Sequence, residues 1–395
     1  MLTPALYIRL SGFYLFYFAT LGVILPYWGL YLLALGFQPA RIGELLAIAQ
    51  VTKLIAPNLW GWLGDRTGQR IRIVRWACLA TVWCFAGVYA AGGSYGYLAL
   101  VMLLFSFFWN AALPQFEAVT LNHLGEHIHR YSRVRLWGSV GFIGAAVGMG
   151  PVVENGGVAA VPAVLLGLFA VLWLNSLLVP ESIRPPDTHP APPIGQVLRQ
   201  PTVIAFFAAC FLNQAAHGPY YGFFSLYLET FGYSREFIGL MWGLGVAVEV
   251  GMFAFMHRLL PHFGPCRLLL AALVMAALRW WLIGHCAANL SILLFAQSLH
   301  SFTFGVFHAA SIHLVHQFFP GALQGRGQAL YSSLSFGAGN AVGSLAAGYL
   351  WQGLGPALMF DLAAFLALMG GLVAWRWLWP REERSLVKNR PKDER

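Results

Sequence analysis

Charged side chains are scarce in this sequence: Asp, Glu, Lys and Arg together supply 10% of its 395 residues, against about a quarter in a soluble protein. Apolar residues fill 58% of positions. A water-facing exterior cannot be assembled from so little polar material, which excludes a soluble multidomain protein and implies that a lipid bilayer covers much of the surface. Cysteine is sparse too. Cys78, Cys84, Cys210, Cys266 and Cys286 are odd in number, have no paired spacing and lie in or beside apolar runs, so they read as small core hydrophobes and not as disulfides or metal ligands. No Gly-Lys-Ser or Gly-Lys-Thr loop is present to cradle a phosphate, which argues against ATP-driven pumping; no cofactor is expected. The net charge of +9 would suggest a nucleic-acid partner in a soluble protein, but its placement assigns it to one face of a membrane.

Long apolar runs are what the chain has in abundance. Crossing roughly 30 Å of hydrocarbon at 1.5 Å per residue takes about 20 residues. Twelve runs qualify, near 5–33, 40–63, 73–92, 96–122, 136–154, 159–179, 202–230, 236–256, 267–286, 289–317, 327–351 and 357–379. The first is too long, and too poor in a small-residue cleavage signal, to be a removable secretion signal. Basic residues divide by side: the odd-numbered connections carry Arg41 and Arg235, whereas the even-numbered ones and the termini collect Arg9, Arg66, Arg70, Arg72, Arg75, Arg130, Arg133, Arg135 and most of the rest. Cytoplasmic loops accumulate Lys and Arg, so both termini are expected in the cytoplasm. The expected fold is an all-α membrane protein of twelve transmembrane helices in two pseudo-symmetric six-helix bundles.

The boundary between bundles falls in a proline-rich stretch with Pro185, Pro186, Pro190, Pro192 and Pro193, residues that extend the chain and remove donors. It divides the sequence into an N-terminal bundle (1–180), a linker (181–200), a C-terminal bundle (201–380) and a basic tail (381–395). The halves repeat one another. At a displacement of 196 positions, Tyr31, Gly36, Phe37, Ile42, Gly43 and Gly68 fall on Tyr227, Gly232, Tyr233, Ile238, Gly239 and Gly264. Repeated halves around a central site are a carrier architecture.

An ionisable side chain at the middle of a spanning helix costs about 2.5–3.5 kcal/mol on insertion scales, so each needs a partner or a purpose. Lys53 and Glu249 lie deep in runs two and eight, at equivalent positions of the repeat. Either they face a shared cavity, Lys53 meeting an anionic solute and Glu249 taking up a proton, or they form a structural ion pair. Run ten carries His300, His308, His313 and His316; of these His300 is favoured as a donor or proton relay, since imidazole titrates near neutrality. Asn213 and His217 share a face of run seven and have the chemistry to hold a polar group of a cargo. Tyr27, Tyr31 and Tyr227 belong to an aromatic set on runs one and seven on which an aromatic cargo would stack. The pattern His123-Leu124-Gly125-Glu126-His127 resembles an inverted zinc-protease motif, but Gly125 weakens the helix it needs and no third ligand is evident.

Between runs two and three stands Gly61-Trp62-Leu63-Gly64-Asp65-Arg66-Thr67-Gly68-Gln69-Arg70. It resembles the signature of the major facilitator superfamily, in which Gly61, Asp65, Arg66, Gly68 and Arg70 would gate the cytoplasmic ends of the two halves. Tyr131 to Phe142, with Glu117 upstream, is similar to the sugar-binding region of lactose permease, and Gln297 to Gly305 with Gln324 to Tyr331 resembles the phenylpropionate permease branch related to it. The resemblance implies that Glu117 and Arg135 meet substrate and that Arg279, which has a nearby analogue in lactose permease, serves proton coupling. Where lactose permease carries its coupling acid this chain has Thr303, so another group must take the proton. These readings combine into a carrier, not an enzyme: a monomeric proton symporter for a small organic acid of the phenylpropionate type, in a bacterial inner membrane by resemblance. The alternatives are a sugar or nucleoside symporter and a membrane sensor that keeps the fold without flux.

Overall fold

A computed structural model describes residues 3–182 and 193–379. The chain runs through helical rods α1 (Pro4–Ala34), α2 (Pro39–Thr67), α3 (Arg70–Ala90), α4 (Tyr95–Leu124), α5 (Tyr131–Gly156), α6 (Ala160–Leu178), α7 (Pro201–Thr230), α8 (Arg235–Phe263), α9 (Pro265–Cys286), α10 (Leu290–Phe318), α11 (324–354) and α12 (Pro356–Trp377). Most of the expected linker prolines, and the tail from 381, lie outside the described residues.

Local chemistry sets the ends of these rods. Proline opens α2, α7, α9 and α12, where its missing N–H would have had no helical partner anyway. The turns after α1 and α7 place Gly36 and Gly232 at φ 89° and 78°, and those after α2 and α8 place Gly68 and Gly264 at 67° and 79°. Only glycine takes such angles without strain, which accounts for why these four survive in the sequence repeat. Rod α8 continues seven residues past its expected end at 256; His257 and Arg258 are polar but still good enough helix formers to extend it. Rod α5 starts at Tyr131, which puts Arg133 and Arg135 on the helix itself.

Among the described residues, nine rods are long and apolar enough to cross a membrane: α1, α3 to α6, α8 to α10 and α12. The chain is accordingly a multi-pass membrane protein. Rods α2, α7 and α11 fall below that apolarity, and their packing accounts for it. Rods α2 and α11 lie along each other, and α7 is wedged between α11 and α12, so polar side chains on these rods meet protein in place of lipid.

Rods α1 to α6 pack through the pairs α1–α5, α1–α6, α2–α4, α3–α4 and α3–α6, and α7 to α12 through α7–α11, α7–α12, α8–α10, α9–α10 and α9–α12. Two seams join the groups, α2 with α11 and α5 with α8. Both are made by glycine. A Cβ on Gly43 would stand 2.6 Å from the Ser344 carbonyl oxygen, and one on its repeat mate Gly239 would stand 2.4 Å from that of Ala146. Backbones meet at these points, so no side chain fits between them.

Three stretches are π-helical: Ile24–Trp28 in α1, Ser301–Val306 in α10 and Ser332–Gly339 in α11. In α1 the slip coincides with Pro26, which cannot donate to the ladder.

Candidate functional site

The seams hold one end of the molecule shut. There Tyr349 of α11 donates to Glu44 of α2 at 2.6 Å, and Glu44 also accepts from Tyr95 at 2.5 Å and Arg41 at 2.8 Å. On the other seam the backbone N–H of Arg235 donates to Glu154 at 2.7 Å, while its guanidinium reaches Glu229 at 2.8 Å. At the opposite end Arg70 bonds Asp65 and Gln115, and Arg75 bonds the last carbonyls of α6, all within the first group.

Behind the closed end lies a cavity of about 240 Å³ lined by both groups. Its walls come from α1, α2, α4, α5, α7, α8, α10 and α11, with Trp28, Trp109, Phe142, Tyr220, Tyr221, Trp242 and Phe304 among the rings facing it. Four ionisable side chains reach it: Lys53, Arg135, Glu249 and His300. Lys53 and Glu249 occupy equivalent places in the two groups because the repeat carries them to the same depth. Among the described residues no hydrogen bond or ion pair reaches the Lys53 ammonium. Glu249 sits 3.3 Å from His300 Nε2. Arg135 lies over the face of Phe18, its guanidinium carbon 3.8 Å from the ring centre, an attraction of cation for ring quadrupole.

His300 is anchored from behind. Its Nδ1 lies 3.0 Å from the Arg279 guanidinium, which also donates to Thr303 at 2.9 Å and Gln297 at 2.7 Å. Arg279 is wholly buried, held by these uncharged acceptors and by the faces of Tyr220 and Trp280 at 4.3 and 4.6 Å. Thr303 stands where the related permease carries an acid, and it accepts from that arginine. The carboxylate nearest His300 comes instead from α8.

Other expected site residues lie off the cavity wall. Glu117 is partly buried and accepts from the Tyr131 hydroxyl at 3.2 Å. Asn213 and His217 are fully buried, with His217 Nδ1 2.7 Å from the Asn213 carbonyl and its ring on the edge of Trp280; Tyr221, one turn on, stands between His217 and the cavity. Tyr27 donates to the Ala146 carbonyl at 2.7 Å and so struts the α5–α8 seam. Tyr31 packs on Trp28, and Tyr227 donates to the Gly284 carbonyl of α9 at 2.7 Å. The residues expected to form a gate stand together at the turn after α2: Arg70 pairs with Asp65, Arg66 lies over the Trp62 ring, and Gly64 leaves room for Gln115. Gly61 is on the same face, nearest Gln115.

The rings of Trp28, Trp109 and Trp242 on the cavity wall carry no direct signal in the sequence, because tryptophans also line lipid interfaces. Gln50 was findable: it precedes Lys53 by three positions and therefore shares its helical face.

This architecture, two helix groups meeting at a shared polar cavity, defines a membrane transporter. The MFS_1 like family model matches residues 7–362, and the chain belongs to that family. It is 31% identical over 360 residues to the probable 3-phenylpropionic acid transporter of Escherichia coli strain K12, covering 89% of this chain and 92% of that one. It is 25% identical over 363 residues to a maltose permease of Geobacillus stearothermophilus, covering 90% and 91%. Among solved structures, a mutant form of the nucleoside transporter NupG superposes with a TM-score of 0.83 at 16% identity over 94% of this chain and 99% of that one.

Proposed function

We propose that the protein is a secondary active carrier that moves a small aromatic carboxylate together with a proton by alternating access. One observation carries this reading: a lysine ammonium with no protein partner among the described residues faces a cavity walled by aromatic rings. A buried cation left uncompensated is costly, and a cargo carboxylate supplies the missing charge while its ring lies on the indoles and phenyls. The 31% identical relative named as a probable 3-phenylpropionic acid transporter supports the same cargo class.

In this reading Glu249 takes the proton, with His300 as relay and Arg279 fixing the imidazole. Arg135 and Lys53 supply the positive wall that attracts the anion. Glu117 tunes Arg135, and Asn213, His217, Tyr27, Tyr31 and Tyr227 support the wall from outside it. The rods form twelve spans in two six-helix bundles, with both termini in the cytoplasm of a bacterial inner membrane and the monomer as the working unit. The closed end at Glu44 and Arg235 faces outward. Asp65, with Arg66 and Arg70, holds the inner ends as the bundles rock.

The test is uptake of labelled 3-phenylpropionate into proteoliposomes under an imposed proton gradient. Accumulation that follows the gradient supports symport, and flux indifferent to it rejects symport. A second reading, a sugar or nucleoside carrier, rests on Arg135 at the cavity together with Glu117. Blockade of uptake by sugars or nucleosides, but not by aromatic acids, would favour it.

A further inference from the structure

The cavity wall holds two amides whose hydrogen-bonding capacity is unspent. Gln50 of α2 and Asn340 of α11 both line the cavity. Gln50 Oε1 and Asn340 Oδ1 are buried, and no donor among the described residues reaches either; Asn340 as a whole is 3% exposed. The two rods run antiparallel, since Gly43 meets Ser344 and Gly348 while Leu54 meets Gly337. Interpolating between those contacts sets Gln50 opposite Asn340, on the α2–α11 seam. Gln50 is also one helical turn from Lys53 and shares its face. Three polar groups therefore converge on one side of the cavity: a cation and two acceptors.

A buried acceptor left unpaired is unfavourable, and a phenylpropionate with a bare ring brings nothing to these two. Asn213, Gln214 and His217 also carry unpaired atoms, but they lie behind the wall, where a cargo does not reach. Gln50 and Asn340 lie on facing rods of the cavity wall, so a donor carried by whatever occupies the cavity can satisfy them. We infer that Gln50 and Asn340 form a subsite for a hydrogen-bond donor on the cargo's ring, so that the preferred substrate is an aromatic acid bearing a hydroxyl, its carboxylate on Lys53. This rests on the aromatic-acid reading above and narrows it.

The physical basis for discrimination is asymmetric. A site built around an unpaired polar group penalises a ligand that leaves it unpaired far more than an apolar pocket penalises an added group. The experiment measures displacement of labelled 3-phenylpropionate from purified full-length protein by unlabelled 3-phenylpropionate and by its 3-hydroxyphenyl and 4-hydroxyphenyl analogues. The expected result is that one hydroxylated acid competes at least about tenfold better than the bare one, in line with one good hydrogen bond. Asn340→Leu and Gln50→Met should each erase most of that preference while keeping affinity for 3-phenylpropionate, which also reports an intact fold. Asn340 is the more buried of the two, so Gln50→Met decides the matter should the Asn340 variant not fold. Equal competition by all three acids in the parent protein, or a preference that survives in Gln50→Met, overturns the subsite alone. Absence of specific 3-phenylpropionate binding that either acid type displaces overturns the aromatic-acid reading and the subsite with it.

Discussion

At the scale of single residues, Lys53 and Glu249 are assigned opposite tasks and their variants should fail differently. Lys53→Ala removes the charge that meets the carboxylate; a hydrogen bond to a charged group contributes about 1.5–3 kcal/mol, so affinity for an aromatic acid should fall by roughly tenfold or more, read as a smaller ligand-induced rise in melting temperature. Normal affinity in this variant would remove Lys53 from the binding role. Glu249→Gln should leave binding and substrate exchange intact and abolish accumulation against a gradient; equal accumulation ratios in variant and parent would count against it. Both residues were legible in the sequence because a charge in an apolar run stands out and the repeat pairs them. Which way a neighbouring polar residue points was not. Rod α7 is buried along most of its length, so its sequence does not mark one face as the cavity face or indicate that the His217 ring packs on Trp280 and Tyr221.

At the scale of elements, the closed end of the α2–α11 seam adds hydrogen bonds to its glycine packing, one of them from a tyrosine hydroxyl to the Glu44 carboxylate. Tyr349→Phe removes the bond to Glu44 and should weaken the closed end by about 0.5–1.5 kcal/mol, as for a typical hydrogen bond. The measurement is alkylation of a cysteine placed at Gly353, one turn from Tyr349 and with open space around it, which should quicken in the variant; an unchanged rate would show that this hydroxyl does not hold the seam. The rods themselves were legible from hydropathy to within a few residues, and the glycine turns from the repeat. The π-helical slip in α1 was marked by Pro26, whereas those in α10 and α11 contain no proline and were hidden.

For the whole molecule, the charge carried per cycle follows from the site. One carboxylate anion and one proton sum to zero, so uptake should respond to a pH gradient and ignore a membrane potential. A potassium diffusion potential imposed on proteoliposomes at equal pH checks this: a changed initial rate would require a different ratio of protons to cargo. What was readable of the repeat is its glycines and loop punctuation, and Gly36, Gly68, Gly232 and Gly264 all take positive φ. The cavity's hydrogen-bonding pattern was not readable, since it arises between α2 and α11, which are almost 300 positions apart in the chain.

Gly43 and Gly239 meet carbonyl oxygens with no room for a methyl group. Where bare backbones touch there is no side chain to stretch or re-rotate as the surfaces part, so a gap of about 0.5–1 Å already forfeits a quarter to a half of the attraction. A slight parting of the closed end therefore loosens it sharply along both seams at once. Glycine at matching places in the two halves thus gives the molecule a stop of fixed width on either side of its closed end.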